Sequence, residues 1–176
     1  SSKICRCFDC RQVLYEESMF DGQKVSKSRI ITSVDYSMVS MEAFEIYAAN
    51  HDIHVMDFVL KLDAYSYYMM NLIDYLVGNT DRHWGNWGFL VDNRTNQPVR
   101  LFDLMDLNQT FLAYDTIEGA NCMTTGNRKI SQREAAVEAV KNIGLNQKDE
   151  IKDEWFKGRE KEREMFWCRF GILKEQ

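Results

Sequence analysis

The chain has 176 residues, 45% of them hydrophobic and 28% charged, enough for one domain with its own core or for one lobe of a larger enzyme. Its formal net charge of -5 argues against nucleic acid as the main partner, because phosphate backbones attract basic surfaces. No apolar run approaches the ~18 residues of a membrane span, and no basic-then-apolar leader opens the chain, so a cytoplasmic protein without membrane contact is expected.

Residues 1–29 read as an N-terminal segment, a remnant of or linker from something upstream. Cys5, Cys7 and Cys10 stand at C-x-C-x-x-C, three thiols where a structural zinc takes four ligands, so metal binding there stays open and reduced thiols are the default. Ser1 to Asp21, with Val13, Leu14 and Tyr15 as its one apolar cluster, reads as an extended or short-strand segment. Gly22 to Ser28 has one glycine and none of the phosphate-loop spacings, and its lysines read as solvated surface. Ser40 is placed to cap a helix from Met41 to about Asn50, with Phe44, Tyr47 and Ala48 on its inward face. A short helix follows over Val55 to Leu60. Asp63 then begins the most apolar helix of the chain, in which Asp63, Ser66, Asn71 and Asp74 leave only a narrow polar stripe, and Gly78 stops it.

That helix delivers the chain into GNTDRHWGNWGFLVDNRTNQPVRLFDLMD, residues 78–106. Trp87–Val91 and Val99–Leu104 are apolar runs flanking the turn-rich segment Asp92–Pro98, which predicts a β-hairpin. With the turn centred near Thr95, antiparallel partners sum to about 190 in sequence number, which puts Asn86 beside Asp103. An amide oxygen and a carboxylate at the open end of a hairpin can share a hard cation such as Mg2+. Asp81, five residues before Asn86, is expected to face the same spot. Phosphoryl transfer calls for this set: a carboxylate to take the hydroxyl proton, with an amide and a second carboxylate to hold the metal. Singly, each residue has a plain explanation as a turn former or a packed histidine. Their order and spacing together carry the chemistry.

The local pattern D-R-H-x-x-N resembles the atypical kinases of the phosphoinositide-kinase type. The longer phrase YLVGNTDRHWGN followed by LFDLMD is more similar to the HipA-like serine/threonine kinases of bacteria. That resemblance implies Asp81 as catalytic base, His83 as a residue organising the catalytic loop, and Asn86 and Asp103 as Mg2+ ligands. Asp81, Asn86 and Asp103 would together hold the ATP cofactor, and Asp106 is a possible additional ligand. Where protein kinases read Asp-Phe-Gly this chain reads Phe-Asp-Leu, so no movable activation switch is carried over. The implied fold is mainly α, a protein-kinase-like C-terminal lobe over residues 30–176 with a small β-hairpin carrying the catalytic and metal-binding residues.

Beyond the hairpin, Asn108 to Asn127 is the candidate for receiving a protein substrate, with an ordinary surface connection as the alternative. Ser131 and Glu134 form a capping box for a helix ending before Gly144, with Ala136, Ala139, Val140 and Ile143 inward. Asn146 is read as the start of another helix, with Ile151 and Trp155 on one face, and the terminal GREKEREMFWCRFGILKEQ as a last helix. No phosphate-covering loop or strand lysine is visible, so the lobe is expected to need an upstream N-terminal lobe and to bind nucleotide weakly alone. The alternatives are a lipid or small-molecule kinase and a non-catalytic protein-binding module.

Overall fold

The computed structural model describes residues 1–111 and 114–176. Its organising element is a long helix, α3 (Val55–Val77), bent where Asp63 leaves helical backbone at φ -155, ψ 63. The two helices expected here are thus one element with a break at the residue that was to begin the second. Asp63 earns its place by capping: one carboxylate oxygen accepts from Ser66 N–H, the other from Arg11 and from Leu101 N–H. Beyond the bend the helix is apolar on nearly every side, and Tyr67, Met69, Met70, Leu72, Ile73, Tyr75, Leu76 and Val77 are all buried. Gly78 ends it at φ 60, where the Tyr114 ring occupies the space a Cβ would need.

The other elements gather around α3. In chain order they are α1 (Ser2–Arg6), β1 (Tyr15–Phe20), β2 (Gln23–Ser28), β3 (Tyr36–Ser40), α2 (Met41–Ala49), β4 (Gly88–Asp92), β5 (Gln97–Leu101), α4 (Gln132–Ile143), a 3-10 turn (Asp153–Phe156) and α5 (Glu160–Lys174). Strands β3, β4 and β5 form an antiparallel sheet in that order, while β1 and β2 pair only with each other. Among the described residues the fold is therefore mixed, five α-helices with two small antiparallel sheets, and "mainly α" is too loose. Among the unexpected strands, β2 lacks an apolar signature. β2 is exposed throughout, and Asp21 and Gly22, at φ 48 and 73, supply the left-handed pair that two-residue hairpins favour.

Within the N-terminal segment, α1 replaces the extended backbone expected over its first residues. Ile4, Cys5, Cys7 and Phe8 belong to the same core as α3, while β1–β2 projects into solvent. The predicted capping box is present, with Ser131 accepting from Glu134 N–H while the Glu134 carboxylate accepts from Ser131 N–H. Ala136 and Ala139 of α4 are buried, with Val140 and Ile143 partly so. The Ser40 cap of α2 is also present, accepting from Ala43 N–H at 3.2 Å, but Tyr47 points outward while Phe44 and Ala48 point in. No helix starts at Asn146. That residue sits at φ 50 and spends its side-chain amide on Ile143 O and Gly144 O, closing α4. No helix among the described residues is long and apolar enough to cross a membrane.

Candidate active site

The hairpin register falls where the turn chemistry put it. Phe89 pairs with Leu101 and Leu90 with Arg100, and Phe102 N–H reaches Gly88 O at 2.9 Å beyond the last formal pair. A bulge at Leu90/Val91 absorbs one residue nearer the turn, so Val91 meets Pro98. The open end therefore brings Asn86 and Asp103 to one cavity of about 170 Å³, walled by Asp9–Arg11, by Tyr65, Ser66, Met69 and Met70 of α3 and by Leu101–Leu104.

Each of the two has one oxygen committed and one uncommitted. Asn86 donates its amide N–H to Asp81 O at 2.8 Å, which turns the amide so that Oδ1 has no partner among the described residues. Asp103 Oδ1 receives Arg100 Nη1 at 2.6 Å, and its Oδ2 has no such partner. A donor set of one amide and one carboxylate oxygen suits a cation that keeps water or phosphate for its remaining positions, as Mg2+ does. It does not suit zinc: among the described residues no three His, Cys, Asp or Glu side chains group to hold a metal. The N-terminal thiols fit this pattern too. Burial pushes the Cys5 and Cys10 thiols up to about 12, and the Cys7 thiol turns to Lys3 O and Glu150 O.

Asp81 and His83 lie just outside the cavity. The Asp81 carboxylate is 41% exposed and does not line it; the imidazole of His83 stands 3.9 Å away and is half exposed. His83 Nδ1 accepts Gly85 N–H at 3.0 Å, so a neutral ring carries its proton on Nε2, the nitrogen turned toward Asp81. Asp106 lies elsewhere. It takes φ 52 and lines a separate depression with Tyr15 and Ser26, so of the two acidic residues that follow the hairpin it is Asp103 that shares space with Asn86.

The loop that carries these groups is pinned by a residue the sequence reading passed over. Arg82 is buried, forks onto Asp74 of α3 through Nε and Nη2 at 2.8 and 3.0 Å, and gives Nη1 to Asn86 O and Met105 O at 2.8 and 2.7 Å. One guanidinium thus ties helix, loop and post-hairpin segment together. Burial opposes its charge, yet Asp74 beside it and Asp106 further off hold its pKa above the ordinary arginine value. Asn79 completes the arrangement by donating to Asp74 at 2.9 Å. The available signal was an acidic residue interrupting an apolar helix: Asp74, part of the narrow polar stripe, is buried, as is Asn71, which accepts the Thr124 hydroxyl. From the other side, α2 gives its first free N–H groups to the loop, Met41 to Trp87 O at 2.8 Å and Glu42 to Trp84 O at 3.0 Å. Trp84 in turn donates to Met123 O at 2.9 Å, so part of the 108–127 stretch packs onto the loop, with Thr124 and Thr125 buried. Leu112 and Ala113 of that stretch lie outside the described residues.

This fold is kinase-like. Among solved structures it is similar to the crystal structure of a Helicobacter pylori proinflammatory kinase, CtkA, with a TM-score of 0.63 over 98% of this chain and 81% of that chain. The two sequences are 14% identical, so the likeness is one of fold. No family model matches the chain, and no curated protein matches it.

Proposed function

We propose that this chain is the C-terminal lobe of a HipA-like serine/threonine kinase, transferring the γ-phosphoryl group of ATP to a protein hydroxyl. What carries the proposal is the sharing of one cavity by Asn86 and Asp103, each with a free oxygen, on a kinase-like fold. Asn86 Oδ1 and Asp103 Oδ2 would hold Mg2+, which when bound neutralises charge on the transferring group. Asp81 takes the proton from the attacking hydroxyl, its half-exposed carboxylate being open to an incoming protein side chain. His83 steadies Asp81 from its Nε2 side, and Arg82 holds Asn86 in register through the Asn86 carbonyl. The phosphate-covering loop and lysine of a kinase come from an upstream N-terminal lobe.

A second reading, a non-catalytic protein-binding module, is favoured by one observation: the Asp81 carboxylate does not line the cavity that Asn86 and Asp103 share. Substitution separates the two. In the intact protein, Asp81→Asn is expected to lower phosphoryl transfer from labelled ATP by about a hundredfold or more while leaving Mg-ATP binding within about threefold. Asp103→Asn is expected to weaken metal-dependent nucleotide binding itself. Equal loss of binding in both variants refutes the separate roles, and the absence of nucleotide binding in the unmodified protein supports the module.

A further inference from the structure

Asp103 already has a cation. Arg100, on β5, folds back over the strand end so that Nη1 lies 2.6 Å from Asp103 Oδ1 and 2.8 Å from Leu101 O. Both side chains are largely withdrawn from solvent, 25% and 17% exposed, so the pair is screened less than an ordinary surface ion pair. Its Nε and Nη2 have no hydrogen-bond partner among the described residues. Asn86, across the cavity, brings no charge. Asp9, Arg11 and Arg82 also line the cavity and are paired with Lys148, Asp63 and Asp74, so the metal site proposed above draws its negative charge from Asp103, which Arg100 pairs from within the chain.

Resting on the metal-ligand role proposed for Asp103, we infer that Arg100 is a positioning residue that makes metal binding conditional on nucleotide. A divalent cation arriving alone meets a carboxylate whose charge is already answered and a guanidinium that repels it. A metal arriving with a triphosphate brings several negative charges. Arg100 can then turn its two unengaged nitrogens to phosphate oxygens, a geometry that the guanidinium fork matches, and Asp103 is released to the metal. Metal and nucleotide thus each tighten the other, as linkage requires, and the site holds metal only weakly when no nucleotide is present.

The test is Mn2+ binding to the 176-residue chain, followed by the electron paramagnetic resonance of free Mn2+, without nucleotide and with a non-hydrolysable ATP analogue. Arg100→Gln is expected to tighten Mn2+ binding in the absence of nucleotide by about five- to tenfold, and to shrink the additional tightening that the analogue gives. Arg100→Lys keeps a cation beside Asp103 and is expected to stay within about twofold of the unmodified chain. Asp103→Asn is expected to abolish binding in both conditions. A gain in affinity is a readout that mere loosening of β5 would not produce. Unchanged or weaker Mn2+ binding in Arg100→Gln overturns the inference, as does an equal gain in Arg100→Lys. Full Mn2+ binding in Asp103→Asn overturns the metal role of Asp103 itself, a different failure from that of Arg100.

Discussion

Replacing Asp74 by Ala would leave the Arg82 guanidinium buried without its carboxylate. Asp74 accepts from Arg82 Nε, Arg82 Nη2 and Asn79 Nδ2, and the two charged side chains are only 4% and 5% exposed. An exposed pair of this kind would be worth about 0–1 kcal/mol, whereas removing one partner of a buried pair costs about 3–5 kcal/mol, and the burial here selects the second range. Against a total stability of about 5–15 kcal/mol, that is a large but survivable loss. The paired variant Asp74→Leu with Arg82→Met removes both charges at similar volume and is expected to recover stability to within about 2 kcal/mol of the original, the remainder reflecting Asn79 without its acceptor. It would not recover the site, because Arg82 also holds Asn86 O and Met105 O. Urea unfolding followed by the fluorescence of Trp84 and Trp87 reads the first effect, and Mn2+ binding in the presence of nucleotide reads the second. A cost below about 1 kcal/mol for Asp74→Ala, or full metal affinity in the paired variant, would refute the assignment of Arg82 as the residue that pins the loop.

Two further outcomes are expected. Gly78→Ala forces a Cβ onto the Tyr114 ring at a left-handed backbone position, and should cost about 2–4 kcal/mol in the same unfolding assay; a cost under about 1 kcal/mol would show that Tyr114 moves aside freely. The Glu134 carboxylate is held below its ordinary value of 4.5, first by Ser131 N–H and then by the Ser131 hydroxyl. A depressed acid stabilises the fold above its unfolded pKa, and that stability is lost as pH falls through the folded one. Glu134→Gln should therefore flatten the fall of Tm between about pH 5 and about pH 3, and an unaltered slope would count against the capping box as the cause.

What could be read from the residues in advance was local. The hairpin register followed from Pro98 and the Asn-rich turn, the stop of α3 from Gly78 and the α4 start from Ser131 with Glu134, because each is decided within a few residues of chain. Pairings between distant segments were not legible. Nothing near Arg82 announces that its partner is Asp74, one helical turn above Gly78, and nothing near Tyr36 announces that it pairs with Asp92. The same holds for α1, whose helix is short but whose Ile4 and Phe8 are core residues, and for the charged β1–β2 strands, whose two-residue turn is a sharper sign than their composition. Within the site, position along the hairpin could be foretold for Asn86 and Asp103. That Arg100 would take one oxygen of Asp103, and that the Asp81 carboxylate would stand clear of the cavity, depended on how the strand end and the loop are folded over.

Arg169 is fully buried in α5, with the rings of Tyr114 and Tyr75 at 4.2 and 4.8 Å and its Nη groups on Tyr75 O and Thr116 O, both at 2.6 Å. Tyr75 O, which also accepts Gly78 N–H at 3.2 Å, belongs to the final turn of α3, the same turn from which the loop departs. A residue ninety-four positions downstream therefore finishes the seat on which Asp81 and Asn86 rest. During synthesis the loop emerges long before that seat exists, so its final geometry waits until α5 leaves the ribosome.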